Sequence, residues 1–317
     1  MTEKDSHETD GAFRPRGAGA LALLFVRGLT MGTVDLVPGV SGGTLALVMG
    51  IYYELVASLR ALSSRGFLQA LGQGRLKAAF RAVNGAFLLT LALGMLSAIL
   101  ALSPVMTWLL SEKPVFVSAF FFGLVAATVI VVSRRVRPWS PVHSVLFAAG
   151  AVCAFVLVGL SPAVTPDAWW FLLLSGALAV SAFMMPGVSG AFVLVLLGKY
   201  EFALAALVQR DVSSVLLLVL GGLIGMLTLA RVLTWLFRRW HAPTLALLAG
   251  VVLGSLRKVW PWQEERGGLS VSLMPDVGAF DPAGGYGFAI LLAAAGFAAV
   301  VLLDGLAGRR KPSAHDL

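Results

Sequence analysis

Two short Pro-Gly-Val-Ser-Gly motifs carry the residues of this sequence that could do chemistry. The first is VPGVSGG at residues 37–43, and MPGVSG at residues 185–190 repeats it 148 positions later, counted from Pro38 to Pro186. Proline removes a backbone donor and disfavours helix in the residue before it, while glycine permits backbone angles that other residues avoid. Each motif therefore predicts a helix that stops near the proline and restarts near the serine, where free N–H groups and a hydroxyl can bind an anion.

The candidate anion-binding residues are mostly small, and several carry a hydroxyl group. They are Pro38, Gly39, Ser41, Gly42, Gly43 and Thr44 in the first motif, and Pro186, Gly187, Ser189 and Gly190 in the second. The alternative interpretation is a structural kink, because glycine and proline are common in transmembrane helices and small residues serve close packing. Duplication of the break in two matching places favours a transport site.

Charged residues inside apolar segments are the second group of candidates, because each costs on the order of 3 kcal/mol at the bilayer centre. Arg27 and Asp35 lie eight residues apart on the segment that enters the first motif, so helix geometry places them on one side. We predict that both contact the substrate, with a purely structural ion pair as the alternative. Arg231, deep in another apolar segment, is a further candidate ligand. The candidate proton carriers are Asp35, Glu54 and Glu201.

Three residues just after the motifs are weaker candidates: Tyr52, Lys199 and Tyr200. The alternative for Lys199, as for Glu54, is that the charged end of the side chain snorkels to the membrane interface. The single cysteine, Cys153, cannot form an internal disulfide or a thiolate metal site, and we predict neither a metal nor a cofactor.

The composition indicates that helices in a membrane position these residues. Hydrophobic residues make up 58% of the chain and charged residues 13%, with a mean hydropathy of +0.89, which predicts an all-α integral membrane protein. A full span needs about 20 apolar residues. The two motif-containing segment pairs are predicted to form re-entrant hairpins or short crossings, with about six further transmembrane helices. The apolar segments are 18–37, 40–59, 83–110, 115–133, 142–160, 168–185, 188–208, 213–237, 243–256 and 286–304.

The distribution of basic residues predicts the orientation in the membrane. With the N-terminus in the cytoplasm, sixteen Lys and Arg residues fall inside and five outside, so both termini are predicted to be cytoplasmic. The net charge of +8 is thereby explained by topology and attraction to anionic lipids, and no nucleic-acid partner is predicted.

The sequence also predicts an inverted-topology repeat. At the offset of 148 residues Gly50 matches Gly198 and Tyr52 matches Tyr200, in addition to the motifs. Three apolar spans, 83–110, 115–133 and 142–160, lie between the two motif-containing segment pairs, and this odd number makes the second unit enter from the opposite face. The predicted layout is a polar cytoplasmic tail (1–17), a membrane domain (18–304) and a basic cytoplasmic tail (305–317). Within the membrane domain lie repeat 1 (18–135), a linking helix (142–160), repeat 2 (168–260), an external loop (261–285) and a final helix (286–304).

Two stretches resemble a known family: GLTMGTVDLVPGVSGGTLALVMGIYYEL at 28–55 and MMPGVSGAFVLVLLGKYEFAL at 184–204. They are similar to the bacterial polyprenyl-phosphate transporters, long catalogued as a membrane domain of unknown function. The resemblance implies translocation of undecaprenyl phosphate from the outer to the inner leaflet of the cytoplasmic membrane, for recycling in cell-envelope glycan synthesis. It also implies functional roles for Arg27, Asp35, both motifs and their Gly-x-Tyr ends. Phe183 stands where the first half has Asp35, so the two halves cannot be chemically equivalent.

A phosphate on a long isoprenoid tail suits the residues described, since the head needs an anion pocket and the tail can stay in lipid. Moving one negative charge inward costs about 2.3 kcal/mol per 100 mV, and proton or cation co-transport would offset that cost. One alternative is a membrane phosphatase acting on polyprenyl pyrophosphate, but no histidine lies near either motif in sequence, and an enzyme is not predicted. The other is a channel or carrier for inorganic anions. The oligomeric state is left open.

Overall fold

The computed structural model describes residues 17–37, 39–266, 269–273 and 286–308. These residues form fourteen α-helices, one 3-10 helix (Leu256–Val259) and one antiparallel hairpin of strands β1 (Gln263–Arg266) and β2 (Leu269–Ser272). The helices are α1 (Ala18–Asp35), α2 (Gly42–Val48), α3 (Tyr52–Ala61), α4 (Arg65–Gly72), α5 (Leu76–Ala82), α6 (Gly85–Glu112), α7 (Pro114–Arg135), α8 (Pro141–Val158), α9 (Trp169–Met184), α10 (Gly190–Leu196), α11 (Tyr200–Val208), α12 (Val212–Arg239), α13 (His241–Ser255) and α14 (Tyr286–Gly308).

The prediction of an all-α membrane protein with two broken helical hairpins is confirmed. In the part of the chain that the structure describes, seven helices are long and apolar enough to cross a membrane, or up to nine spans if each bent pair counts as one. The bent pairs are α2 with α3, at 117°, and α10 with α11, at 104°. The strand hairpin lies within the predicted external loop at 261–285.

Each hairpin contains two breaks, whereas the sequence analysis placed one break at each motif. The first break has a left-handed glycine within the motif, Gly39 at φ 94° or Gly187 at φ 83°. The second follows eleven residues later at Gly50, φ 71°, or Gly198, φ 62°. The helix between the breaks has only seven residues, too short to cross a membrane, so the second break turns the chain back.

The long helices pack in matching pairs. Helix α1 packs along α6 and α9 along α12. An added Cβ at Gly28 would meet the backbone of Leu91, and one at Gly176 would meet the backbone of Leu218. These two glycines lie 148 residues apart, so small residues allow the same close helix approach in both halves.

If α1–α8 are taken as the first half and α9–α14 as the second, the last helix of each half packs on the other half. Helix α8 packs along α13, and α14 packs along α7. The rings of Phe116 and Phe288 are 5.0 Å apart at one end of α7 and α14, and the Arg135–Asp304 ion pair is 2.7 Å at the other, so these two helices run parallel. The exchange is reciprocal between the halves; the inversion of the second unit and the side on which the termini lie stay predictions.

A basic connection between α3 and α6 forms the two short helices α4 and α5, which the sequence analysis did not predict. Their apolar side chains Leu68, Leu71, Leu76 and Phe80 are exposed. Amphipathic helices with basic residues and exposed apolar groups are typical of the membrane interface.

Candidate functional site

The N-terminus of α2 is paired with two side chains of the first motif region. The Gly42 amide donates to Asp35 Oδ1 at 2.6 Å, and the Gly43 amide donates to Ser41 Oγ at 3.2 Å. A Cβ on Gly42 would lie 2.7 Å from Asp35 Oδ2, so only glycine admits the carboxyl group here. Asp35 therefore already accepts the hydrogen bond of an amide that the sequence analysis predicts to bind an anionic group of the substrate.

The structure brings the two motifs together although 148 residues separate them. The Gly187 amide donates to Thr44 Oγ1 at 2.9 Å, and the Tyr52 hydroxyl donates to the Met184 carbonyl at 3.0 Å. Ser41 Oγ lies 3.4 Å from the Met185 carbonyl oxygen. Ser41, Thr44 and Tyr52 are each about 1% exposed, so this contact excludes water. The first motif supplies side chains and the second supplies mainly backbone.

The two halves differ chemically at this contact. Phe183, 42% exposed, replaces the carboxyl group of Asp35, and the side chain of Ser189 does not cap α10 in the described structure. Pro186 and Gly187 are buried, while Ser189 is half-buried. Gly190 packs against the Ala179 carbonyl of the preceding helix. The expected chemical difference between the halves extends beyond position 35 to the capping of the two short helices.

A cation that the sequence analysis missed lies beside the first motif. The Lys258 side chain packs on Gly39, where an added Cβ would meet its Cγ atom. Its Nζ lies 5.2 Å from the ring centroid of Phe192 on α10, so the side chain lies between the two hairpins. In the sequence Lys258 was one of five basic residues assigned to the outside. Its position directly after an apolar span was the available signal, but only the fold links it to Gly39.

The predicted cations do not all gather at the motifs. Arg27 is half-buried on α1, two turns before Asp35. Arg231 is exposed, and its Nε donates to Ser63 Oγ at 3.1 Å. Ser63 follows Tyr52 by eleven residues, about 16 Å at the rise of an α-helix. Arg231 therefore lies beside the C-terminal end of α3, whereas Tyr52 at the start of α3 takes part in the motif contact.

The remaining carboxylates of the sequence analysis lie apart from the motif contact. Glu54 Oε1 accepts a 2.8 Å hydrogen bond from Asn84 Nδ2, which connects α3 to the start of α6. Glu201 is exposed in the first turn of α11, next to Tyr200, which is 39% exposed. Pro38 lies outside the described residues. Asp35 is the carboxylate that the structure joins directly to a motif backbone, through the Gly42 amide.

The end of α2 is held by a guanidinium group. Arg135 Nη1 donates to the Leu47 carbonyl at 2.6 Å, and Nη2 donates to the Val48 carbonyl at 2.9 Å and to Asp304 at 2.7 Å. A cation at a helix C-terminus satisfies the last carbonyls and the helix dipole. The first hairpin is thereby attached to both α7 and α14.

The corresponding end of α10 is held by a loop and Lys199. Thr165 Oγ1 donates to the Leu197 carbonyl at 2.5 Å, and Lys199 Nζ donates to the Thr165 carbonyl at 2.9 Å and to Asp167 at 2.5 Å. Lys199 is only 2% exposed, so protein groups accept the hydrogen bonds of its ammonium. Asp167 and the Thr165 carbonyl, both in the loop before α9, take the place of water around this ammonium group.

Comparison with known proteins identifies the family. A family model described as undecaprenyl phosphate translocase-like matches residues 31–271. The chain belongs to this family. A relative from Vibrio cholerae serotype O1, named polyprenyl-phosphate transporter, is 38% identical over 240 residues, which cover 76% of this chain and 78% of the relative. A Staphylococcus aureus protein of the same name is 29% identical over 254 residues, covering 74% and 85%. No solved structure matches.

The matched region contains both motifs, both hairpins and the 3-10 helix with Lys258. The family and both relatives are named for translocation or transport, which confirms the prediction of a transporter rather than an enzyme. The apolar helices and the family together establish a multi-pass membrane protein.

Proposed function

We propose that this family member moves a polyprenyl phosphate, specifically undecaprenyl phosphate, from the outer to the inner leaflet of the bacterial cytoplasmic membrane. The lipid would then be reused in cell-envelope glycan synthesis. The observation that carries the proposal is the buried contact of the two motifs beside the Asp35 carboxyl group. The names of the two relatives support the substrate class.

The phosphate would bind where the two motifs meet, with its isoprenoid tail in lipid. Ser41, Thr44 and the backbone of the second motif supply donors, and Lys258 and Arg27 supply positive charge. Charge-assisted hydrogen bonds of this kind are stronger than neutral ones. Arg231 stays a candidate phosphate ligand. To reach the phosphate it requires movement of α3 relative to α12, because in this structure it donates to Ser63.

Asp35 gives this site a means of coupling transport to protons. An ionised carboxylate and a phosphate compete for the same amide, that of Gly42, whereas a protonated carboxyl group leaves the amide more easily. A proton bound with the lipid also offsets part of the cost of moving negative charge inward, about 2.3 kcal/mol per charge per 100 mV. We assign the coupling role first to Asp35, ahead of Glu54 and Glu201.

The direct test is leaflet-specific labelling of undecaprenyl phosphate in proteoliposomes. Wild-type protein should deplete the outer-leaflet pool faster than protein-free vesicles, and Arg27→Ala and Ser41→Ala should slow it. Arg238→Ala, which removes an exposed arginine at the end of α12, is the matched control. Because Ser41 also caps α2, the unfolding temperature of each purified variant is measured alongside.

The outcomes test the transport function and the assignment of the binding site separately. Equal depletion in wild-type and empty vesicles would overturn the transport proposal. Normal transport in both site variants would overturn the site assignment and leave the transport proposal standing. Flux of inorganic phosphate without lipid depletion would instead support an anion carrier.

A further inference from the structure

An apolar groove opens on the surface of the helix bundle, outside the contact between the two motifs. Its volume is about 800 Å³, within the range of ligand-binding sites, and its walls include Phe122, Val152, Phe155 and Trp260. Val152 and Phe155 are 63% and 52% exposed on α8, a helix apolar enough to span a membrane. Apolar side chains exposed on such a helix face lipid, so the groove opens to the membrane.

One charged side chain, Arg257, lines this groove among the described residues. Its Nη1 donates to the Phe155 carbonyl at 3.1 Å, and its guanidinium carbon lies 4.5 Å from the centroid of the Phe155 ring. Guanidinium has five N–H donors in a planar fork that matches a phosphate group, and the contact with Phe155 uses one of them. The groove therefore combines an apolar wall with a phosphate-binding cation that its own aromatic wall holds in place.

The next residue in the same 3-10 helix is Lys258, which lies on the other side, against Gly39 and over Phe192. Two consecutive residues thus present one cation to the lipid-facing groove and one to the first motif. The two side chains leave neighbouring Cα atoms, about 3.8 Å apart, on opposite sides, so this one turn directs positive charge both to the groove and to the first motif.

We propose that the groove is the loading site for the lipid, in which the phosphate of a polyprenyl phosphate meets Arg257 and the adjoining isoprene units lie against Val152, Phe155 and Trp260. This inference rests on the proposed transport function and on the predicted topology, which puts the groove at the external side. A phosphate monoester carries close to two negative charges at neutral pH, against one for a phospholipid diester, and brings one tail rather than two. The second negative charge strengthens the pairing with Arg257, and one tail needs less apolar wall than two, so the groove suits the monoester.

The test uses full-length protein in nanodiscs and in proteoliposomes. Arg257→Gln removes the cation, and Val152→Phe fills the groove at an exposed position where folding is not at risk. Lys113→Gln, an exposed cation before α7, and Val145→Phe, an exposed valine of α8 two turns away, are the matched controls. The measurements are the half-saturating lipid concentration for transport, and cross-linking of a photoreactive polyprenyl phosphate to the peptide containing Val152.

We expect Arg257→Gln to raise the half-saturating lipid concentration about tenfold, the size of one charge-assisted hydrogen bond. Val152→Phe should raise it as well and should abolish the cross-link, while both controls behave as wild type. Wild-type transport by both groove variants would overturn the inference and leave the transport proposal intact. Equal competition by phosphatidylglycerol for the cross-link would overturn the choice of occupant. Absence of transport in the wild type, with the groove cross-link retained, would overturn the transport proposal alone.

Discussion

At the scale of single residues, the site depends on hydroxyl and carboxyl groups of the first motif that pair with backbone groups. Asp35, at the end of α1, and Ser41 accept from amides at the start of α2, and Thr44 accepts from the amide of Gly187 in the other motif. These side chains are structural in the state described. A substrate phosphate must replace some of these bonds, so binding and rearrangement are linked.

Replacing Asp35 separates its two roles. Asn retains an oxygen that can accept from the Gly42 amide, so Asp35→Asn should fold like the wild type but transport at a rate that no longer responds to a pH gradient. Asp35→Ala loses the bond and should also be destabilised by about 1 kcal/mol. The measurements are thermal unfolding in detergent and transport into vesicles at matched and unmatched internal pH. A pH-gradient response retained in Asp35→Asn would contradict the coupling role.

Removing the hydroxyl of Thr44 should leave the buried amide of Gly187 without its partner. We expect Thr44→Val to cost about 1–3 kcal/mol in unfolding free energy, and Thr44→Ser to restore most of it. Thr30→Val is the control, because that hydroxyl bonds only within its own helix, to the Val26 carbonyl. Equal unfolding temperatures for the variants at positions 44 and 30 would argue against the contact between the motifs.

The sequence predicted Ser41 and Thr44 as site residues because their types and their position after the proline are local information. Their partners in the second motif, and Lys258 beside Gly39, depend on packing across at least 140 residues of chain. Local patterns do not contain such contacts, which explains why Lys258 was assigned only to the external side.

At the scale of elements, left-handed glycines of the two hairpins have different surroundings. Gly50 has open space where a Cβ would lie, whereas a Cβ on Gly187 would approach the Val252 Cα to 2.8 Å. The repeated glycine was visible in the sequence as a match between halves. Its consequence, a bend of more than 100° after a seven-residue helix, was not predicted because periodicity does not identify so short a helix.

These surroundings predict unequal effects of alanine. Gly50→Ala should cost about 1–2 kcal/mol, the penalty of a left-handed backbone alone, whereas Gly187→Ala should cost clearly more because backbone atoms must also move. The check is the unfolding temperature of each purified variant, with Gly66→Ala as a control at an open helical position of α4. A larger loss at Gly50 than at Gly187 would contradict the packing around the second motif.

At the scale of the whole molecule, each half depends on the last helix of the other. Helix α8 packs on α13 and α14 packs on α7, so neither half contains all of its own packing partners. Composition and the two Pro-Gly motifs sufficed to predict a helical membrane protein with broken hairpins. The helix exchange was not predicted, because apolar spans of similar composition give no indication of which one packs on which.

This exchange of helices can be tested by splitting the protein into two fragments. Two co-expressed fragments, 1–163 and 164–317, should co-purify and should transport, because α8 and α14 cross between them. Either fragment expressed alone should be degraded or aggregate, as two long helices would lack their partners. Affinity purification through a tag on one fragment measures the association, and failure to recover the other fragment would contradict the exchange.

Cysteine labelling tests the predicted inversion and the predicted sides. In a Cys153→Ser background, a membrane-impermeant thiol reagent applied to whole cells should label Lys113→Cys but label Arg238→Cys only after the membrane is opened. Both side chains are exposed in the structure. The reverse pattern would place the termini outside and would reverse the side of the lipid-loading groove.

The exchanged helices also bear on how such a chain could have arisen. With the inversion predicted from the sequence, an ancestor of one half would have completed its fold with a second copy inserted the opposite way round. Such a copy needs nearly balanced charges on its two sides. The present distribution of Lys and Arg, sixteen inside and five outside, would then have developed after gene fusion gave each half a fixed orientation. The same holds for the difference between Asp35 in one half and Phe183 in the other.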